Sequence, residues 1–91
     1  MVDQDKVDRL DKLLRSAARA HHAEFGGPNP GWPEWYAEFI HPEIGGIVGF
    51  EPTIEQVADW LRDVDELQRT EAPNDFWPPF YARWILESFG Q

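Results

Sequence analysis

Residues 28–40 read PNPGWPEWYAEFI and residues 73–85 read PNDFWPPFYARWI, so seven of thirteen positions recur 45 residues further on. Where the copies differ, Phe80 stands for Trp35 and Trp84 for Phe39, which keeps aromatic volume, while turn and charged positions drift. Such a repeat marks a supersecondary unit that needs its sibling to bury an apolar face. Trp32, Trp35, Tyr36, Phe39 and Ile40 fall at i, i+3, i+4, i+7 and i+8, as do Trp77, Phe80, Tyr81, Trp84 and Ile85. This spacing predicts two short helices with nearly all-aromatic faces, each with proline in its first turn. The first is expected to end before Pro42, because proline inside a helix removes a backbone donor and clashes with the preceding turn.

Each aromatic segment follows a longer amphipathic one. Over residues 3–23, Val7, Leu10, Leu13, Leu14, Ala17 and Ala20 recur three or four apart, the spacing of one helical face. Asp5 with Arg9, Asp8 with Lys12 and Asp11 with Arg15 place acid four residues before base, which suits an exposed helix face. From Thr53, an N-cap with Gln56 at capping-box distance, Val57, Trp60, Leu61, Val64 and Leu67 continue at helical intervals. The two long segments align at an offset of 47, with Leu10, Leu14 and Ala17 matching Val57, Leu61 and Val64. Gly26, Gly27, Pro28, Asn29, Pro30 and Gly31 enforce a turn between the first two helices, and residues 72–76 a turn between the last two. Residues 42–52, rich in glycine yet apolar, read as a connector lying across the core.

The predicted architecture is therefore all-α: one helical domain, residues 1–91, built from repeat units 3–41 and 53–90 joined by connector 42–52. The two helix-turn-helix units are expected to pack with pseudo-two-fold symmetry. Their meeting surface is expected at Tyr36, Phe39, Tyr81 and Trp84, with Ala37 and Ala82 allowing close helix approach. The outer pairs, Trp35 with Phe80 and Phe39 with Trp84, are expected in equivalent surroundings.

Composition narrows the functional classes. Seventeen acidic residues against eight basic ones give a net charge of −9, of which residues 51–91 carry −6, and this opposes a partner with a dense phosphate backbone. Nucleic acid is not an expected partner. No apolar run approaches membrane-spanning length and no apolar leader opens the chain, so a soluble, cytoplasmic protein without a membrane partner is expected. The chain has no cysteine, which excludes disulfides and thiolate metal sites.

No motif names a reaction. There is no glycine-flanked serine, and GGIVGF at residues 45–50 has neither a dinucleotide fingerprint nor a P-loop lysine; it reads as an apolar loop, or alternatively as a hinged lid. His21, His22 and Glu24, with His41 and Glu43, are the one cluster of metal-ligand types, but their order is that of no helical metal site and the second unit has no histidine. No metal or cofactor is expected. Glu55, Asp59 and Asp63 form an acidic stripe, read as a solvated face or a docking surface for a basic protein.

The aromatic surplus, five tryptophans, six phenylalanines and two tyrosines, exceeds what so short a chain ordinarily buries. It favours a small acidic, non-enzymatic helical module that binds another protein or itself, with Trp32, Trp35, Tyr36, Trp77 and Tyr81 as the contact residues. The alternative is a small-molecule-binding protein or enzyme in which the same rings frame a pocket, Tyr36 or Tyr81 orients the ligand, and His22 or Glu38 moves a proton. Each phenol needs a partner if buried, and Asn29 or Asn74 in the turns is the expected one.

Overall fold

A computed structural model of the chain describes residues 3–27 and 29–90; Pro28, expected in the first turn, lies outside the described residues. Four helices make up the fold: α1 (Gln4–Phe25), α2 (Trp32–Val48), α3 (Ile54–Glu71) and α4 (Trp77–Phe89). No strand occurs among the described residues, and no helix there is long and apolar enough to cross a membrane.

The helix ends follow from local chemistry. Asp3 caps α1 by accepting the Asp5 amide, and Gly26, at a φ of 72° that favours glycine, closes it by donating to the His22 carbonyl. Asp11 and Arg15 form the expected pair at 2.9 Å. Thr53 and Gln56 form a complete capping box at the start of α3. Both α2 and α4 begin with a proline in the first turn, where no amide donor is needed.

The second helix departs from expectation. It runs through Pro42 to Val48, and the connector shrinks to residues 49–53. An interior proline costs about 3 kcal/mol. Beyond it, however, Ile44, Ile47 and Val48 are all buried, and each such side chain contributes about 1.5–3 kcal/mol when withdrawn from water. The burial outweighs the break. Gly49, at a φ of 93°, ends the helix by donating to the Gly45 carbonyl, and His41 Nε2 lies 3.0 Å from the Pro52 carbonyl, tying mid-α2 to the returning chain.

Helices α1 and α3 each pack against both α2 and α4. Between them lies a core of Leu10, Leu14, Ile40, Ile44, Leu61 and Ile85, with the repeat-matched Ala37 and Ala82 fully enclosed. Two of the four residues expected at the meeting surface are not buried there. Tyr36 and Tyr81 are buried, but Phe39 is 37% exposed and stacks on Trp35, and Trp84 is half-buried against Phe89. Extending α2 to Val48 centres its buried stripe on Tyr36, Ala37, Ile40 and Ile44, which turns Phe39 to the flank.

The expected equivalence of the outer rings also fails. Trp35 packs edge-on against His21 and Phe25. At the offset that aligns α1 with α3, those neighbours become Gln68 and Ala72, so Phe80 has no corresponding rings to meet.

Candidate functional site: an aromatic cleft at the starts of α2 and α4

A cleft of about 870 Å³ opens beside the turn after α1, where Gly27, Asn29 and Pro30 line it. Its walls include Trp32 and Tyr36 from the start of α2 and Trp77 and Tyr81 from the start of α4. Trp32 meets Tyr36 at 5.8 Å and 89°, Tyr36 meets Trp77 at 5.9 Å and 67°, and Trp77 meets Tyr81 at 4.9 Å and 62°. These steep inclinations are the edge-to-face arrangement that aromatic quadrupoles favour over a stack. Four of the five aromatics singled out in the sequence thus come together. The fifth, Trp35, lies outside the cleft with Phe25 and Phe39.

The polar lining comes from the long helices and from Asn29 in the turn after α1. His21 and His22 on α1 and Asp65 and Gln68 on α3 reach the cleft, and no lysine or arginine is among its described lining residues. His21 and Gln68 are the two buried polar residues of the described structure, and at an offset of 47 they are the same position of the two units. Their uses differ. Gln68 donates from Nε2 to the Asp75 carbonyl at 2.8 Å, holding the turn that leads to α4. His21 Nε2 is buried without a hydrogen-bond partner, although the ring itself is packed among Phe25, Trp35 and Tyr36. An unsatisfied buried polar atom costs about 1–3 kcal/mol.

The tyrosines differ in the same way. Tyr81 donates its hydroxyl to Asp65 Oδ1 at 2.9 Å, and Arg69 holds Asp65 Oδ2 at 2.9 Å. This replaces the expected bond to Asn29 or Asn74: Asn29 Oδ1 instead accepts from the Gly31 amide within its own turn. Burial pushes the Tyr81 phenol far above its ordinary range, and the hydrogen bond and charge of Asp65 push it further, against a smaller opposing effect of Arg69. Burial also raises Tyr36, whose hydroxyl has no hydrogen bond to a described residue. At the position where α3 carries Asp65, α1 carries Ala18.

The remaining candidates lie elsewhere. Glu38 is exposed and not part of the cleft, and His41 is engaged with Pro52. No three metal-ligand side chains converge among the described residues. The acidic stripe is exposed, with Asp59 bonded to Arg62 at 2.9 Å and Arg62 also paired with Glu34 on α2. Asp65 and Gln68 are the site residues the sequence reading missed. Their signal is a polar residue four positions beyond Leu61 and four beyond Val64, on the face of α3 that should be apolar.

No protein-family model, no curated protein and no solved structure matches this chain.

Proposed function

We propose that the protein binds a small molecule in the aromatic cleft, with repeat units 3–41 and 53–90 each supplying one tryptophan, one tyrosine and one long-helix polar residue. The observation that carries this reading is the cleft itself: a concave space large enough for a metabolite-sized ligand, bounded by Trp32, Tyr36, Trp77 and Tyr81. The Tyr36 hydroxyl, which bonds to no described residue, is the hydrogen-bonding group this wall offers a ligand. The net charge of −9 and the absence of lysine and arginine among the described lining residues disfavour phosphate-rich ligands, nucleic acid included.

The test is a titration of the full chain with water-soluble aromatic fragments, neutral and cationic, followed by nitrogen-proton resonances. Saturable shifts are expected at the indole N–H groups of Trp32 and Trp77 and not at that of Trp60. A complete set of fragments leaving both cleft indoles unmoved overturns the reading.

A second reading, association with a protein partner or with another copy, is favoured by one observation. Phe25 is 44% exposed and Phe39 37%, and both rings lie against Trp35, which makes a three-ring patch outside the cleft. Light scattering over a range of concentrations tests self-association, and a constant monomer mass removes it.

A further inference from the structure

The geometry points to an organic monocation bearing a hydrogen-bonding group at its far end as the ligand of the cleft. Its charged head is held by the aromatic walls and Asp65, and its polar end by Tyr36. This inference rests on the cleft being a small-molecule site, as proposed above.

Charge is the first argument. Asp65 lines the cleft, no described lysine or arginine does, and the whole chain carries −9. Such a field gathers cations and repels anions. Two tryptophans and two tyrosines bound the same space, and the faces of these rings attract a cation placed within about 6 Å of the centroid. A neutral apolar ligand uses the rings equally well but draws nothing from the Asp65 carboxylate, whose partners remain Tyr81 and Arg69. Arg69 does not remove this preference, because its side chain is 76% exposed and an exposed pair of this kind holds weakly.

The second argument is the difference between the two halves. On the second unit's side, Tyr81 is committed to Asp65 and Gln68 to the Asp75 carbonyl. On the first unit's side, Ala18 stands in place of Asp65, His21 Nε2 has no partner, and the Tyr36 hydroxyl has none among the described residues. Negative charge therefore sits at one wall and unused hydrogen-bonding capacity at the other. A molecule charged at one end and hydroxylated or otherwise polar at the other satisfies both.

Choline, its neutral isostere 3,3-dimethylbutan-1-ol, and tetramethylammonium provide the test, titrated against the full chain with the Trp32 and Trp77 indole resonances as readout. Choline is expected to bind at least about tenfold more tightly than the isostere, the scale of one cation–ring contact, and several-fold more tightly than tetramethylammonium. Equal binding of choline and the isostere overturns the cation while leaving the cleft a small-molecule site. Equal binding of choline and tetramethylammonium overturns the polar-end contact. No saturable shift with choline overturns the inference as a whole, and the fragment titration decides independently whether the cleft binds anything. Asp65→Asn retains an acceptor for Tyr81; it is expected to weaken choline binding about fivefold or more, and unchanged affinity in the folded variant counts against the charge contact.

Discussion

The hydroxyl of Tyr81 on α4 is bound to Asp65 on α3 across 2.9 Å, and the same carboxylate reaches Arg69 one turn further along α3. A phenol, a carboxylate and a guanidinium are thus linked at the edge of the cleft. The arrangement fixes the start of α4 against the end of α3, where the turn of residues 72–76 has no glycine to shape it.

Replacing Tyr81 with Phe removes the donor and leaves the ring. Asp65 keeps Arg69 and some contact with water, so the loss falls at the lower end for a bond to a charged group, about 1–2 kcal/mol. For a chain of this length each kcal/mol lowers the melting temperature by about 4–8 °C. Calorimetry of Tyr81→Phe beside the unaltered protein measures this directly. Superimposable melting curves show that the bond contributes nothing to the fold.

Alkaline pH acts on the same residues. Both Tyr36 and Tyr81 are raised above the ordinary value of about 10, so the folded state holds their protons more tightly than the unfolded chain does. Their contribution is fully present below about pH 10 and is lost as pH climbs above it toward the folded-state values. Phenolate absorbance is expected to rise together with loss of helical circular dichroism rather than ahead of it. A protein carrying both Tyr36→Phe and Tyr81→Phe should lose most of that pH dependence. Free phenolate formation near pH 10 with the helices intact contradicts the burial described here.

His21 should show a trade between stability and binding. Leucine at this position fills a similar volume among Phe25, Trp35 and Tyr36 without a polar atom to satisfy, so His21→Leu is expected to raise stability by about 1 kcal/mol. The same change removes the ring that packs against Tyr36 and should weaken choline, whose hydroxyl depends on where that phenol is held. A destabilised variant whose choline affinity is unchanged places the role of His21 in the fold and not in the cleft.

Much of this molecule was legible from spacing alone. The helical faces of α1, α3 and α4 follow from apolar residues three and four apart, and Thr53 with Gln56 announces its capping box. Trp32, Tyr36, Trp77 and Tyr81, which stand at matched positions of the two thirteen-residue segments, line one cleft. Two things were hidden. Which aromatic lies inward depends on how far α2 extends, and there local propensity and tertiary burial disagree: Pro42, Gly45 and Gly46 read as a break, while Ile40, Ile44, Ile47 and Val48 keep helical spacing straight through it. The acid that completes the cleft was hidden for a different reason. Asp65 sits among charged neighbours, so its place four residues beyond Leu61 is easily passed over beside Asp63 and Glu66, and the bond to Tyr81 arises only when α3 pairs with α4.

The length of α2 can be tested at Gly46. This residue lies inside the helix, is exposed, and has nothing within 4 Å of where a Cβ would stand. Alanine there meets no obstacle, and it avoids the conformational penalty of glycine in a helix interior, about 0.8–1 kcal/mol. Gly46→Ala is therefore expected to raise the melting temperature by several degrees. Gly49 supplies the contrast: at its φ of 93° a side chain is strained, so Gly49→Ala should lower stability although it lies only three residues away. Thermal denaturation of the two variants side by side reads both effects. If alanine destabilises at both positions, the segment after Pro42 is a glycine-dependent loop, and Ile44, Ile47 and Val48 are buried by some path other than a continuous helix.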